Sequence, residues 1–232
     1  MITEEDFIDF KCPYCGDPIS FPNQQAGTAQ QCPMCFESVI LPTAQGEPGR
    51  KIPLPLSTER LILRRLQGGD WKDLLEILGD EDPTRLDAPD PVDEDSILKW
   101  LEADAHVRLT TPDQTFFIGI VQQAAGKLIG FIALRRSGPE GQTANLSVTL
   151  NRAFEKQGFA IEAMDALLSL CFEQLRFHRI AISCDSRNSS ALQLFGRVGL
   201  RREGEFIKDR LVRGEWANTV HYAALREEYE QS

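Results

Sequence analysis

The sequence ANLSVTLNRAFEKQGFAIEAMDALLSL, residues 144–170, decides the fold, because the spacing of its apolar residues changes partway along. Leu146, Val148 and Leu150 alternate with polar residues, which is the period of a half-buried strand. Later in the stretch, apolar residues recur three and four positions apart, which predicts an amphipathic helix that starts near Ile161. The sequence therefore predicts a strand, a loop and a helix in direct succession.

The loop between strand and helix has small residues, Gly158 and Ala160, where the chain turns into the helix. The backbone N–H groups of such a loop, together with the positive end of the helix dipole, attract an anion. A tight turn without a ligand is the alternative interpretation, since short glycine motifs often occur by chance.

This loop resembles the pyrophosphate-binding loop of the GNAT acyl-CoA N-acetyltransferase superfamily, whose pattern is Arg or Gln, two residues, Gly, one residue, then Gly or Ala. Gly158 and Ala160 match the small positions, whereas Glu155 replaces the leading Arg or Gln. The run Gly-Phe-Ala-Ile-Glu-Ala is similar to the ribosomal-protein N-terminal acetyltransferase branch. The stretch Thr58–Leu66 resembles the Thr-Glu-Arg-Leu-x-Leu-Arg opening of the same branch.

Local patterns predict the other elements of residues 56–232. A strand over Thr58–Leu66 precedes a helix that Asp70 caps and that ends at Leu78, and a second helix spans Ser96–Val107. The later elements are two hairpins, a strand and a helix: Phe116–Val121 with Lys127–Leu134, Arg179–Cys184, Ser189–Val198 capped by Asn188 or Ser189 and stopped by Gly199, and Phe206–Val212 with Trp216–Ala224.

The order strand, helix, helix, three antiparallel strands, helix is that of the GNAT superfamily, which the chain resembles over roughly residues 56–229. The resemblance implies an α+β fold, with a mixed, mostly antiparallel central sheet flanked by helices. It also implies acetyl-CoA as co-substrate, and direct attack of an amine acceptor on its thioester.

The same resemblance implies a cofactor site in a V-shaped gap between two strands. The backbone of Val148, Thr149 and Leu150 would contact the pantetheine, and Asn188 would hold the pantetheine or the preceding loop. The phosphate cradle would consist of consecutive loop residues: Lys156, Gln157, Gly158, Phe159, Ala160 and Ile161.

Residues for proton transfer are not evident. Phe195 stands where many GNAT enzymes carry Tyr, and Asn145 stands where the related branch often carries a carboxylate. Ser147 with a chain of waters is one candidate, and an ordinary strand residue is the alternative. Cys184 ends a strand near the expected thioester and could be a nucleophile. Cysteine in a buried strand, however, usually has only a packing role. The sequence therefore names no catalytic residue.

Four cysteines near the N-terminus form two Cys-x-x-Cys pairs, Cys12 with Cys15 and Cys32 with Cys35. Their spacing predicts a closed, four-thiolate structural zinc site. The pattern resembles the zinc ribbon over about residues 10–42. Two disulfides and a redox pair are the alternatives, and a reducing compartment disfavours the first.

The two cysteine turns are expected to differ, because Gly16 follows the first pair and Phe36 follows the second. A unit this small depends on its metal for stability. Short strands are predicted from the apolar residues Ile19, Phe21, Val39, Ile40 and Leu41.

The predicted division is a zinc ribbon over residues 1–42, a linker rich in Pro and Gly over 43–55, and a GNAT domain over 56–232.

The charge of the chain limits its partners. The net charge of -10 predicts no nucleic acid and no anionic membrane as partner. Residues 1–50 carry seven acidic and two basic side chains, which leaves a protein, or the second domain, as partner of the ribbon.

The N-terminus lacks the charge pattern of a secretory signal, and no apolar run approaches the roughly 20 residues that span a bilayer. We therefore expect a cytoplasmic protein with reduced cysteines. The predicted function is acetyl-CoA-dependent N-acetylation of a primary amine, either a protein N-terminus or a small amine. The alternative is a weak or inactive acyl-CoA-binding protein that uses the ribbon to dock on another protein.

Overall fold

The computed structural model describes residues 7–42, 50–51, 54–79, 92–107, 115–137, 142–212 and 214–230. Within them, five short strands form two small sheets in the cysteine-rich part. The eight strands that follow in the chain form one large sheet.

The cysteine-rich part is built from short antiparallel strands. Strand β1 (Phe7–Lys11) pairs with β2 (Pro18–Pro22). Strand β4 (Ser38–Ile40) pairs with β3 (Ala29–Gln31) on one side and with β5 (Arg50–Lys51) on the other. Strands β2 and β4 contain or adjoin the apolar residues from which the sequence predicts short strands: Ile19, Phe21, Val39, Ile40 and Leu41.

The elements of the large sheet and its helices follow in chain order: β6 (Leu56–Ser57), β7 (Leu61–Arg65), α1 (Trp71–Leu78), α2 (Glu94–Ala105), β8 (Thr115–Gln122), β9 (Lys127–Ser137), β10 (Thr143–Leu150), α3 (Phe159–Ser169), β11 (Arg179–Asp185), α4 (Ser189–Arg197), β12 (Arg201–Val212), β13 (Glu215–Leu225) and α5 (Arg226–Tyr229). The strand order in space is β12-β13-β11-β10-β9-β8-β7-β6. Among the described strands, β10 and β11 form the one parallel pair. The prediction of a mixed, mostly antiparallel sheet with flanking helices is confirmed.

Apolar side chains cover both faces of the large sheet. Leu128 and Ile129 are adjacent on β9, so their side chains point to opposite faces. Ile129 belongs to the core that includes the inner stripe of α3, with Met164 and Leu167. Leu128 belongs to the core that α1 and α2 cover, together with Leu101. The sheet is therefore the middle layer of three.

The start of α3 and the capping of α1 differ from their predictions. Helix α3 begins at Phe159, two residues before the expected start, and continues into a π-helical turn at Leu170–Gln174. Asp70 precedes α1 but makes no capping bond with its side chain. Its carboxylate instead accepts two hydrogen bonds from the Arg64 guanidinium, both 2.8 Å, because β7 places Arg64 beside it. Asp70 therefore occupies the predicted N-cap position of α1, but its side chain does not cap the helix.

The cysteine-rich part packs on the large domain. Ala29 and Ile40, on β3 and β4, belong to the same apolar core as α3. The half-buried Arg136 of β9 donates a hydrogen bond from Nη1 to the carbonyl oxygen of Ala29, 3.2 Å away. Burial lowers the pKa of the Arg136 guanidinium.

Most of the predicted linker, residues 43–49 and 52–53, lies outside the described residues. Arg50–Lys51 pairs with β4, and Leu54 packs against the core of the large domain. The ends of the linker are therefore attached to one unit each. The division into domains remains a prediction.

The C-terminal hairpin is longer than predicted, since β12 begins at Arg201, and Arg213 of its turn lies outside the described residues. Strand β13 lies between β11 and β12. Among the helices of the described ranges, none has the length and apolarity that crossing a membrane requires.

A glycine on β9 permits the close approach of β10. A Cβ on Gly130 would lie 2.4 Å from the carbonyl oxygen of Thr149 and 2.5 Å from Cδ2 of Leu150. We expect Gly130→Ala to lower the free energy of unfolding by about 1–3 kcal/mol, measured by urea denaturation. Gly204→Ala is the control, because nothing lies within 4 Å of its added Cβ. Equal loss of stability in both variants would contradict this packing.

Candidate active site

Strands β10 and β11 separate partway along their length. Their parallel register ends where Leu146 lies opposite Ile182, and within the described residues no later pair joins them. Strand β10 continues to Leu150 while still paired with β9, and β11 continues to Asp185 while still paired with β13. A gap therefore opens in the sheet beyond Leu146, as the resemblance implies.

The chain leaves β10 through a loop that bends sharply into α3. A 3₁₀ turn at Arg152–Phe154 starts the loop, and the side chain of Asn151 accepts a hydrogen bond from the N–H of Ala153 at 3.0 Å. Lys156 and Gly158 both have positive φ, 58° and 84°. Glycine adopts this conformation without steric cost, directly before the first residue of α3.

A pocket of about 430 Å³ lies between the open end of β10, this loop and α4. Its shape follows from the gap, because β10 and β11 no longer pair there. The pocket is lined by Val148, Leu150, Glu155, Lys156, Gly158, Ala160, Ile161, Asn188, Ser190, Ala191, Gln193, Leu194 and Arg197.

A family model described as the acetyltransferase (GNAT) domain matches residues 60–201, which is more than half of the chain. The chain belongs to the GNAT acetyltransferase family. It is therefore an acyl-CoA N-acyltransferase. The matched region includes both strands of the gap, the loop and α4, and excludes the four-cysteine part.

Individual relatives agree with the family assignment. The uncharacterized N-acetyltransferase YnaD of Bacillus subtilis is 27% identical over 174 residues, which are 75% of this chain and 98% of that protein. A GNAT acetyltransferase structure from Bacillus anthracis superposes with a TM-score of 0.66 at 24% identity, over 74% of this chain and 98% of that one. RimL, a ribosomal-protein α-N-acetyltransferase in complex with coenzyme A, superposes with a TM-score of 0.65 at 15% identity, over 74% and 97%.

Seven of the ten cofactor-site residues predicted from the GNAT resemblance line the pocket: Val148, Leu150, Lys156, Gly158, Ala160, Ile161 and Asn188. The other three do not. Thr149 alternates with the two lining residues of β10, and the ring of Phe159 is buried against Phe154. The side chain of Gln157 donates a hydrogen bond to the carbonyl oxygen of Ala153, 2.7 Å away.

Most of the pocket residues that the sequence analysis missed are on α4. Ser190, Leu194 and Arg197 repeat at helical spacing, and Ala191 and Gln193 flank the same face. The period of α4 contains this signal. The resemblance implies a cofactor contact in this segment for Asn188 only, so the helix face itself is an addition from the structure.

Asn188 lines the pocket and also fixes α4. Its Oδ1 accepts a hydrogen bond from the N–H of Ala191 at 3.0 Å, so it caps the helix as predicted. The buried Asp185 holds the turn before it, through hydrogen bonds of 2.9 and 2.8 Å from the Arg187 guanidinium. These hydrogen bonds outweigh burial, so the pKa of Asp185 is lowered. The start of α4 is therefore fixed from both sides.

On the face of the sheet opposite the pocket, β10 and β11 present polar side chains. Asn145 and Ser147 are exposed there, and the side-chain amide of Asn145 donates a hydrogen bond to Oγ of Ser137 at 3.0 Å. Ser183, the first residue of β11 beyond the paired segment, lies opposite His221 of β13. The sequence analysis did not consider His221, because only the pairing of β13 with β11 places it opposite Ser183.

The buried residues near the site have packing roles. Phe195 is 2% exposed and packs edge-on against Tyr222, with 5.4 Å between ring centroids. Cys184 and Cys171 are both buried in the main core, as packing cysteines are. Burial raises the pKa of the Cys171 thiol, so it stays protonated.

The four N-terminal cysteines converge on one point. All four sulfur atoms lie within 4.8 Å of one another, and none forms a disulfide. The Sγ atoms of Cys12 and Cys35 are 3.7 Å apart, and those of Cys15 and Cys32 are 3.9 Å apart. These distances are far longer than the sulfur–sulfur bond of about 2.05 Å in a disulfide.

The two cysteine turns have the same backbone geometry, against expectation. Gly16 and Phe36 both have positive φ, 80° and 61°. Each donates its N–H to the carbonyl oxygen of the first cysteine of its turn, Cys12 or Cys32, at 2.9 Å. Phe36 is 60% exposed, so its ring meets little opposition in this conformation.

Proposed function

We propose that this acetyltransferase moves the acetyl group of acetyl-CoA to a primary amine by direct attack. The observation that supports the proposal is the separation of β10 from β11 beyond Leu146, which opens onto the pocket at the start of α3. An unpaired strand edge is a template for an extended, amide-containing molecule, and pantetheine is one.

The pocket residues suit the parts of acetyl-CoA in order. The backbone of Val148, Thr149 and Leu150 would pair with the pantetheine amides, beside Asn188. The loop from Lys156 to Ile161 would hold the pyrophosphate on its N–H groups.

Two pocket residues have basic side chains, Lys156 from the loop and Arg197 from α4. They would attract the phosphate groups from two sides of the pocket. Arg197 supplies positive charge in a site whose leading loop position is the acidic Glu155.

The transfer itself needs mainly proximity and orientation. The amine nitrogen attacks the thioester carbonyl carbon, the carbon–sulfur bond breaks, and the sulfur leaves as a thiolate. The nitrogen loses one proton and the thiolate takes up one, which yields an amide and free coenzyme A. With acetyl-CoA in the pocket on the α4 side, the amine would approach from the polar face that carries Ser147 and Ser183.

We infer that His221 takes the proton of the attacking amine. It lies directly across from Ser183, the residue at which the gap begins on β11. Its ring packs edge-on against Phe206, 4.7 Å between centroids, which fixes its orientation. Imidazole is the side chain best suited to accept a proton near neutral pH.

The acceptor is a primary amine, either a protein N-terminus or a small amine; an amine that arrives protonated must first release one proton to water and attacks in its neutral form. The net charge of -10 favours approach of a positively charged acceptor. The fold neighbour RimL acts on a ribosomal protein, which makes N-terminal peptides the first acceptors to test.

We also propose that the four cysteines hold one structural zinc ion in a zinc ribbon. Zinc–sulfur bonds of about 2.3 Å in a regular tetrahedron give sulfur–sulfur edges of about 3.8 Å. The observed separations of 3.7 and 3.9 Å match this edge. The N–H groups of Tyr14 and Met34 point at the sulfurs of Cys12 and Cys32, at 3.5 and 3.4 Å, as donors to thiolates do.

With four thiolates the zinc would have no open position, so its role is to stabilise the ribbon. Zinc thiolates persist in a reducing compartment, which fits the cytoplasm. The surface of the ribbon that does not pack on the large domain would be a docking site for a basic protein, because residues 1–50 are acidic.

The first prediction concerns the pocket. Ala191→Phe should weaken acetyl-CoA binding at least about tenfold in calorimetry, because the ring fills the pocket beside α4. Ser189→Phe is the control, since Ser189 is exposed on the same helix and outside the pocket lining. Wild-type protein that binds acetyl-CoA and releases thiol with an amine supports the transferase. Binding without release from any amine would favour a binding protein, and no binding would refute the site.

The second prediction concerns His221. His221→Asn should lower kcat roughly a hundredfold and leave the KM for acetyl-CoA unchanged, because it removes a proton acceptor without touching the pocket. His178→Asn is the matched control, since His178 is exposed at the other end of β11. An unchanged kcat in His221→Asn would exclude this role.

The third prediction concerns the metal. Purified protein should contain one zinc ion per chain by elemental analysis, and the Cys12→Ser and Cys32→Ser variants should lose it. Cys184→Ala, a cysteine of the large sheet, should keep the zinc. A fully folded wild-type protein without metal would contradict the zinc ribbon.

A further inference from the structure

The chain directly before β7 contacts the first turn of α3, about one hundred residues later in the sequence. The carboxylate of Glu162 accepts hydrogen bonds from Oγ1 of Thr58 at 2.6 Å, from the backbone N–H of Arg60 at 2.8 Å, and from Nε of Arg60 at 2.7 Å. Three donors therefore converge on one carboxylate. All come from the Thr-Glu-Arg run that the sequence analysis singled out only as a family resemblance.

The same guanidinium reaches the loop before α3. Nη1 of Arg60 donates a hydrogen bond to the carbonyl oxygen of Gln157 at 3.0 Å. Nη2 lies 3.3 Å from the position of a Cβ built on Gly158, and the guanidinium stacks 4.5 Å from the ring centroid of Phe159. Arg60 thus contacts Gln157 of the loop and Phe159 at the start of α3, lies beside Gly158 between them, and also binds Glu162.

The charge of Glu162 is significant at this place. A helix N-terminus attracts anions, and a carboxylate in the first turn would repel one. Glu155 adds a second negative charge to the same loop. Burial alone would raise the pKa of Glu162, but the hydrogen bonds from Thr58 and Arg60 lower it overall, so the carboxylate is ionised and depends on Arg60 for compensation.

The ion pair between Arg60 and Glu162 is less exposed to water than an ordinary surface ion pair. Exposed pairs contribute roughly 0–1 kcal/mol, mainly because water screens both charges. Here the Glu162 side chain is 17% exposed, against 42% for Arg60. The carboxylate is therefore partly removed from water, so its hydrogen bonds are screened less than those of a fully exposed pair.

We propose that Arg60 and Glu162 are positioning residues for the acetyl-CoA loop. Arg60 fixes the loop at Gln157–Phe159 and cancels the charge of Glu162, so that the start of α3 remains attractive to the pyrophosphate. The proposal rests on the proposed function, because it assumes that the loop binds acetyl-CoA. It assigns a role to the Thr58–Arg60 run, which lies outside the pocket lining.

The test is a set of variants whose order of affinity depends on charge. Arg60→Ala should weaken acetyl-CoA binding at least about tenfold in calorimetry and raise its KM, with kcat changed less than about threefold. Glu162→Gln should have a smaller effect. The double variant Arg60→Ala/Glu162→Gln should bind acetyl-CoA more tightly than Arg60→Ala, because the uncompensated carboxylate is gone. The acetyl-CoA affinity of Arg60→Lys should lie between those of wild type and Arg60→Ala, since lysine keeps the positive charge but not the several N–H donors of the guanidinium.

The control is Arg202→Ala, which removes another exposed arginine, paired with Glu205 at 2.7 Å on β12. It should leave acetyl-CoA affinity unchanged. The proposal is overturned if Arg60→Ala binds like wild type, or if the double variant binds no better than Arg60→Ala. In the second case the contacts only stabilise the fold. Wild-type protein that binds no acetyl-CoA would instead refute the proposed function, which separates the two failures.

Discussion

The candidate site depends on one constraint: β10 and β11 each pair along their whole length with another neighbour, but only partly with each other. Strand β10 pairs with β9 along its whole length, and β11 does the same with β13. Between them the parallel register ends at Leu146 and Ile182. The backbone groups beyond that point have no partner strand across the gap, and the start of α3 and one face of α4 line the pocket that opens there. The position of the pocket follows from this divergence.

Much of this arrangement could be predicted from sequence where the cause is local. The change of period between Leu150 and Ile161 predicts a strand followed by a helix, because side-chain direction follows backbone geometry. The cysteine spacing predicts convergence of four sulfurs, because a Cys-x-x-Cys turn presents two of them together. The cap at Asn188 is likewise a property of a few adjacent residues.

The predictions fail where the cause is distant in the chain. Asp70 has the type and position of a helix cap, but β7 brings Arg64 to it, and a bidentate ion pair outweighs a single capping bond. Phe36 adopts a glycine-like conformation because the turn geometry requires it and its ring is exposed. Strand pairing alone brings His221 opposite Ser183, and a contact across about one hundred residues brings Arg60 to the loop before α3. Neither leaves a signal in local period or composition.

The position of β13 also determines how the chain can fold during synthesis. It follows every other strand in the sequence, yet it pairs inside the sheet, between β11 and β12. Until Leu225 has left the ribosome, β11 has an open edge and the sheet is incomplete. The ribbon precedes it in the chain and contains mainly local contacts, so it can form first. The nascent protein would thus carry a finished four-cysteine module attached to an enzyme whose sheet closes only at the end.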